Sequence, residues 1–262
     1  MDTLKKYCFL NGNAVKFIAA FFMFIDHLGF MFFPKVAIYR ILGRISMPLF
    51  AFAISEGCKY TRNKIKHFTL LFALAFVCQL VYYFFDDGSL YMSILVTFSL
   101  SVLIIYAMQA LKKCLFEKAV WWKTAVALIA FIGAVAFCYF LCSPYMQKRG
   151  VTVDYGFWGC MLPVFASLLD FRRIHTPAFL QQCDTIWARL IPFIVGLTAL
   201  VFSQYPFISD GLPPYLPFYA FLALPFLFLY NGKKGKLPTK YFFYIFYPAH
   251  LVILEGIRLF LL

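Results

Sequence analysis

Residues 16–33, KFIAAFFMFIDHLGFMFF, form an apolar run that is long enough to cross a lipid bilayer as an α-helix. The run contains Asp26 and His27, and ionisable side chains are rare inside membranes because their removal from water costs free energy. Ten residues separate Lys16 from His27, so both lie on one helix face, about 16 Å apart along the axis. The sequence therefore predicts a membrane helix whose polar groups carry a function.

The composition of the whole chain is that of a multispanning membrane protein. Of its 262 residues, 63% are hydrophobic, and the mean hydropathy is +0.81, whereas soluble domains are about half apolar. We expect an all-α, polytopic membrane helix bundle that forms a single domain over residues 1–262, with about nine transmembrane helices and a range of eight to ten. The predicted spans lie near residues 14–33, 37–57, 67–85, 90–111, 121–143, 155–170, 187–207, 214–230 and 240–261.

The basic charge of the chain, +13, is explained by its orientation in the membrane. If the N-terminus is cytoplasmic, most of the 24 Lys and Arg residues fall in cytoplasmic loops. Asp86, Asp87, Asp154 and Asp210 then fall on the opposite side. This distribution predicts a cytoplasmic N-terminus and, for nine spans, a C-terminus outside, and it gives no reason to expect nucleic acid as a partner. The first span is too long and too polar for a removable signal peptide.

The eight cysteines have no spacing typical of a metal site, since neither CxxC nor a Cys/His motif occurs. We therefore expect them to act as small core residues, with no metal bound. Four are predicted on the cytoplasmic side and four within spans, in that order: Cys8, Cys58, Cys114, Cys183 and Cys78, Cys138, Cys142, Cys160.

The second span carries Arg40 and Arg44 four positions apart, on one helix face. Charges that faced lipid at the membrane centre would cost about 3 kcal/mol each, so these arginines must face the interior, water or the interface. Two roles remain open for them. One is an ion pair with Asp26 that locks the first two spans together, and the other is a part in chemistry. Asp26 points about 100° away from His27 on a helix, so we expect it to pair with an arginine.

Two histidines, His27 and His250, are predicted inside the membrane. Each can simply hydrogen-bond across helices. A neutral imidazole is also the side chain best suited to accept and return a proton near pH 7, which favours a function for His27. His67 and His175 are predicted at the membrane interfaces, as ordinary solvated residues.

A loop of Gly and Lys residues precedes the last span. Asn231, Lys233 and Lys234 lie in this loop and can offer backbone N–H groups and ammonium charges to a phosphate. At the other side of the membrane, Asp154 and Tyr155 lie at the mouth of the sixth span. A helix N-cap explains Asp154, and contact with an incoming substrate is the alternative.

Several of these segments together resemble the TraX family of membrane proteins. The resemblance rests on IDHLGFMFF (25–33), YRILGRISMPLFAFAISEG (39–57), TRN (61–63), DYGFWG (154–159), YNGKKG (230–235) and KYFFYIFYPAH (240–250), in this order. It implies membership of a broader group of acyltransferase-3-like membrane enzymes. In that group the first span carries a basic residue, ten intervening residues and a histidine, and Lys16 and His27 fit this pattern.

The resemblance implies a bacterial cytoplasmic-membrane acetyltransferase. It would take an acetyl group from cytoplasmic acetyl-CoA and deliver it outside, to a peptide amine such as the N-terminus of pilin or to a glycan. His27 would activate the acceptor or carry the acetyl group briefly. On this basis the predicted catalytic residues are His27, Asp26, Arg44 and His250; the acetyl-CoA-binding residues are Lys16, Arg62, Asn231, Lys233, Lys234 and Tyr247; and the acceptor-binding residues are Arg40, Asp154 and Tyr155.

Two other classes of function remain as alternatives. A small secondary transporter would use the intramembrane His, Asp and Arg residues as a proton or substrate pathway, but the inverted repeats common in transporters are not evident in the sequence. A noncatalytic assembly partner would use the same residues only to hold its helices together. It would have little use for a histidine aligned with a cytoplasmic base.

Overall fold

The computed structural model describes residues 8–85, 90–172, 174–205, 213–236 and 240–261, and this part of the chain is mostly helical. The helices are α1 (Gly12–Phe32), α2 (Ala37–Gly43), α3 (Ser46–Tyr60), α4 (Lys64–Phe85), α5 (Ile94–Phe116), α6 (Trp121–Leu141), α7 (Pro144–Gln147), α8 (Gly156–Ala166), α9 (Ala178–Gln182), α10 (Ile186–Gln204), a 3₁₀ helix (Leu216–Ala223), α11 (Leu224–Phe228) and α12 (Lys240–Leu261). Two short strands, β1 (Tyr91–Met92) and β2 (Thr152–Val153), pair in parallel.

The prediction of an all-α chain with several membrane spans is confirmed for the described residues. Six helical segments there are long and apolar enough to cross a membrane: Gly12–Phe32, Ala37–Tyr60, Ile94–Phe116, Trp121–Leu141, Ile186–Gln204 and Phe242–Phe260. The predicted span 67–85 lies within α4, Lys64–Phe85. The predicted spans 155–170 and 214–230 correspond to shorter apolar helical segments, Gly156–Ala166 and Leu216–Phe228. The total of nine spans and the cytoplasmic N-terminus stay predictions.

The chain divides into two compact units, unit one (Met1–Ala53 and Leu197–Leu262) and unit two (Ile54–Gly196). The expectation of one domain over residues 1–262 stays a prediction.

In unit one, α1 packs against α2 and against α12. The side chain of Asn11 caps α1 by accepting a hydrogen bond from the Ala14 N–H at 3.0 Å, which satisfies one of the free amides at a helix start. Close packing of α1 on α2 depends on Gly43, where an added Cβ would overlap the side chain of Asp26. Ser46 then donates to the Ala19 carbonyl at 2.9 Å.

The second predicted span is broken between α2 and α3, at Arg44 and Ile45. The reason is Pro48, which has no N–H to donate to the carbonyl four residues earlier, that of Arg44. The helix therefore ends one turn before the proline and restarts at Ser46. The break places Arg40 on the short helix α2 and makes Arg44 the C-cap of that helix.

The core of unit two lies around α5, which contacts α4, α6 and α8. Its small polar side chains are satisfied locally: Ser101, for example, donates to the Thr97 carbonyl at 2.9 Å and to the Cys160 carbonyl at 2.7 Å. A hydroxyl that bonds to a neighbouring backbone lets two helices approach closely without an unpaired polar group.

Candidate functional site

The two predicted intramembrane histidines lie side by side in unit one. His27 comes from α1 and His250 from α12, and their ring centroids are 5.0 Å apart with the ring planes at 72°. His250 is 3% exposed and has Phe246 stacked on it, with ring centroids 5.0 Å apart. His27 is half-buried. The structure therefore brings two ionisable rings into contact between two apolar helices, α1 and α12.

The hydrogen bonds of the two rings define which nitrogen of each carries the proton. His27 Nδ1 lies 2.9 Å from the Met23 carbonyl oxygen, and His250 Nδ1 lies 2.8 Å from that of Phe246. A carbonyl only accepts, so in both neutral rings Nδ1 is the protonated nitrogen and Nε2 bears the lone pair. His250 Nε2 lies 3.4 Å from His27 Nδ1, where it can accept a share of the same hydrogen.

Asp26 forms an ion pair with Arg40, with Asp26 Oδ2 2.8 Å from Arg40 Nη1. Both side chains are less than one fifth exposed. The predicted pairing of Asp26 with an arginine of the second span is thereby confirmed. The hydrogen bonds that orient His27 go to the Met23 carbonyl and His250.

Arg44 follows directly after Gly43, which packs on Asp26. Its Nε is buried and has no hydrogen-bond partner among the residues that the structure describes. A buried guanidinium atom without a partner is costly, so Arg44 is a candidate to bind a negatively charged group.

Lys16 lies on α1 with His27, as predicted, in the helix half nearer to Asn11. Its Nζ lies 6.0 Å from the ring centroid of Phe243 on α12. The lysine and the histidine thus each meet α12, at positions seven residues apart.

A cavity of about 550 Å³ lies at the start of α1. Its volume is in the range typical of ligand sites. It is lined by Asn11, Asn13, Ala14, Phe17, Asn231, Lys233, Gly235 and Lys236. Two of the predicted phosphate-binding residues, Asn231 and Lys233, therefore face one cavity together with the asparagines that begin α1.

The loop that carries these lysines is fixed to the start of α1 by backbone hydrogen bonds. Gly12 N–H donates to the Lys233 carbonyl at 2.7 Å, and Asn13 N–H donates to the Lys234 carbonyl at 3.1 Å. The Lys233 N–H is bonded to the Asn231 side chain at 2.9 Å. The prediction that the loop offers its backbone N–H groups to a phosphate is therefore wrong for Lys233, which lines the cavity and can offer its side-chain ammonium group to an anion.

Tyr247 is 7% exposed, and its ring centroid lies 5.8 Å from that of His250. It was predicted at the acetyl-CoA site, and the structure places it beside the histidine pair.

The predicted site residues Arg62, Asp154 and Tyr155 belong to unit two. Arg62 is exposed in the turn after α3. The N-cap of α8 is Tyr155, with a left-handed φ of 59°, and not Asp154. The N-cap prediction for Asp154 is thus wrong: its carbonyl accepts from Thr97 Oγ1 at 2.7 Å, and its N–H donates to Met92.

Sequence reasoning missed a buried polar network in unit two. Arg189 is 1% exposed; it pairs with Glu56 and donates to Ser55 Oγ at 2.8 Å and to the Ala166 carbonyl at 2.9 Å. These contacts use its donors inside the protein, which is typical of a structural ion pair. The available signal was Glu56, a charge within an apolar span, although its partner is 133 residues away.

The expectation that His67 is an ordinary solvated residue is wrong as well. His67 is half-buried, and its Nδ1 lies 2.6 Å from the hydroxyl of Tyr106.

Comparison with known proteins agrees with the motifs. The family model of the TraX protein matches residues 11–258. A curated relative, the "Probable fimbrial assembly protein FimC, serogroup H1" of Dichelobacter nodosus, is 26% identical over an alignment 278 residues long. This alignment covers 94% of this chain and 95% of the relative. No solved structure matches the chain. The matched region includes both histidines, the ion pair of Asp26 with Arg40 and the cavity at the start of α1, and the chain belongs to the TraX family.

Proposed function

We propose that this protein is a membrane-embedded acetyltransferase that moves an acetyl group from cytoplasmic acetyl-CoA to an amine or hydroxyl acceptor at the outer side of the membrane. The observation that supports the proposal is the contact of His250, on α12, with His27, which shares α1 with Lys16. The name of the curated relative, a probable fimbrial assembly protein, favours an acceptor in fimbrial or pilus assembly, and a bacterial cytoplasmic membrane as the location.

His27 is the proposed base. Its Nδ1 donates to the Met23 carbonyl, so Nε2 holds the lone pair that can remove a proton from the acceptor. General base catalysis by a positioned histidine typically contributes a factor of about 10² to 10⁴ in rate. The same Nε2 atom would attack the thioester if the reaction passed through an acetyl-histidine, so both routes use one atom.

His250 is the proposed positioning residue for His27. When His27 Nε2 takes a proton, the ring becomes an imidazolium, and its Nδ1–H has two acceptors, the Met23 carbonyl and His250 Nε2. Charge-assisted hydrogen bonds are roughly twice as strong as neutral ones. The pair would thus stabilise the protonated form that appears only during the reaction.

The acetyl-CoA would enter at the start of α1. The cavity there presents Lys233, Lys236 and three asparagine side chains, a set of polar groups that fits phosphates and an adenine base. Lys16 lies on α1 within the segment that lines this cavity, Asn11 to Phe17, and His27 lies further along the same helix. The extended arm of CoA would follow the helix past Lys16, a path of about 16 Å at 1.5 Å per residue.

Arg44 would stabilise the oxyanion that develops on the thioester carbonyl, since a preorganised donor in a site with little water acts strongly on such a charge. In the overall reaction the acceptor N–H or O–H bond and the acetyl–sulfur bond break, and the acceptor–acetyl bond forms. The proton that His27 removes passes to the CoA thiolate.

The test is acetyl transfer by the full-length protein in proteoliposomes that contain radiolabelled acetyl-CoA in the lumen facing the start of α1. Two acceptors are supplied on the other side: a peptide with a free N-terminal amine and an oligosaccharide. We expect His27→Ala and His27→Gln to lower the transfer rate at least about 100-fold. His67→Gln, a histidine of unit two that bonds to Tyr106, is the matched control and should retain the wild-type rate.

Wild-type transfer by His27→Gln would remove His27 from the mechanism. Absence of transfer by the wild type to both acceptors, with substrate flux that needs no acetyl-CoA, would instead favour the transporter alternative.

A further inference from the structure

Three cysteines of unit two converge although the sequence separates them. The Sγ atoms of Cys138, Cys142 and Cys160 all lie within 4.8 Å of one another. We propose that they form a binding site for a thiophilic metal ion, Cu(I).

The three positions are set by the helices that carry them. Cys138 lies at the end of α6 and Cys142 is its C-cap, four residues later, so the two side chains share one face. Cys160 lies on α8, and its carbonyl accepts a hydrogen bond from Ser101 of α5 at 2.7 Å. A third sulfur is thus presented to the first two from a helix fixed on the core of unit two.

The spacing of the sulfur atoms fits a metal better than a disulfide. Three sulfurs bound to one ion at about 2.3 Å, the length of a zinc–thiolate bond, lie about 4.0 Å from one another. The cluster reaches this arrangement by a contraction of less than about 1 Å. A disulfide would need two sulfurs at about 2.0 Å and would leave the third thiol unused; all three cysteines are free thiols.

The number and type of ligands favour Cu(I). Thiolates select soft ions, and zinc prefers four ligands in a tetrahedron. The cluster contains three cysteines and, within the described part of the chain, no fourth His, Cys, Asp or Glu. Cys138 and Cys160 are 0% exposed, which limits water as a fourth ligand, whereas the partly exposed Cys142 provides a path for entry.

Binding is a proton exchange without electron transfer. All three thiols lose their protons to solvent and bind the ion as thiolates, and the ion enters as Cu(I) and stays Cu(I). The loaded site then carries a net charge of two negative units, which costs less to bury than the three negative charges of the thiolates without the ion would.

The experiment titrates Cu(I) into the full-length protein in detergent, under reducing conditions, against a chromophoric Cu(I) chelator. We expect the wild type to hold one equivalent. Cys160→Ser should weaken the affinity at least about 100-fold, since even residues that only support metal ligands are worth 10- to 100-fold. Cys58→Ser and Cys78→Ser, which change buried cysteines outside the cluster, should keep the wild-type affinity.

A second measurement needs no variant. Cu(I) should protect Cys142 of the wild type against alkylation by a maleimide and leave Cys114, also partly exposed, as reactive as before. Loss of all copper from the wild type to the chelator, equal retention by Cys160→Ser, or alkylation of Cys142 at an unchanged rate would each overturn the proposal.

Discussion

His27 and His250 form similar hydrogen bonds to the backbone, but the second ring nitrogen, Nε2, has a different environment in each. In each ring Nδ1 bonds to the carbonyl four residues earlier. His250 Nε2 is directed at His27, whereas the Nε2 of His27 is left for another proton. This asymmetry assigns the two residues different tasks in the proposed reaction: His27 exchanges the proton, and His250 stabilises the ring that has gained it.

Replacement of His250 by phenylalanine tests this division of tasks. His250→Phe keeps an aromatic ring that can stack on Phe246 but removes the acceptor nitrogen. We expect kcat for acetyl transfer to fall about 10- to 100-fold, with KM for acetyl-CoA unchanged, because the lost hydrogen bond is stronger with the imidazolium of His27 than with its neutral ring. Steady-state kinetics in proteoliposomes measure both constants.

His250→Gln is the conservative comparison, since its side-chain oxygen can accept from His27 Nδ1. It should recover part of the rate that His250→Phe loses. Equal rates for the phenylalanine and glutamine variants would show that the acceptor atom of His250 has no part in the reaction.

The sequence predicted those site features that depend on one helix or on neighbouring helices. Lys16 and His27 share α1, and Asp26 pairs with Arg40 across a short turn. The contact of His27 with His250 joins residues 223 positions apart, and no local pattern contains it. Asn11 and Asn13 were missed for another reason: asparagine is common at a helix start, where Asn11 is the cap of α1, and only the structure shows the cavity beside them.

The loop 231–236 is the element that would bind the nucleotide end of acetyl-CoA. Its backbone is anchored on α1 by the hydrogen bonds of Gly12 and Asn13, so its position does not depend on a ligand. Lys233 and Lys236 line the cavity with their side chains. A rigid backbone with mobile ammonium groups is suited to phosphates, which tolerate varied donor directions.

We therefore expect Lys233→Ala and Lys236→Ala each to weaken CoA binding about 10-fold, the loss of one charge-assisted hydrogen bond. Isothermal titration of the detergent-solubilised protein with CoA measures the affinity. Lys66→Ala removes an exposed lysine of α4 and serves as a control for net charge. An equal loss of affinity in all three variants would indicate general electrostatic attraction instead of a site at the start of α1.

Apolar runs in the sequence predict the long helices, and prolines explain two places where a predicted helix is interrupted. The predicted spans 14–33, 90–111 and 121–143 appear as long helices. The predicted span 214–230 became a 3₁₀ helix and a short α-helix. It contains Pro214, Pro217 and Pro225, each of which removes a backbone donor. Hydropathy predicts the apolar character of this span but not the interruption of its α-helix.

The directions of the first and last long helices constrain the topology of the molecule. Phe17 packs on Phe242 and Phe243, with ring centroids 5.2 and 5.1 Å apart, and His27 meets His250. Contact positions therefore rise together along α1 and α12, so the two helices run in parallel. If both cross the membrane, the number of crossings from α1 to α12 is odd, as in the predicted total of nine.

Reporter fusions test directly whether the number of membrane crossings from α1 to α12 is odd. Because α12 is parallel to α1, its C-terminal end must lie on the side opposite to the start of α1, while the loop 231–236 is anchored at that start and shares its side. We expect alkaline phosphatase, which is active only outside the cytoplasm, to be inactive when fused after Lys234 and active when fused after Leu261. Green fluorescent protein, which fluoresces only in the cytoplasm, should give the reverse pattern.

If both fusion sites report the same side, α12 does not cross the membrane, and His250 then could not meet His27 within a bilayer. If the two sites report opposite sides but phosphatase is active after Lys234, the number of crossings is still odd, and the predicted orientation of the protein is inverted. Acetyl-CoA would then have no access to the cavity at the start of α1, and this result would reject the proposed donor path while leaving the helix packing intact.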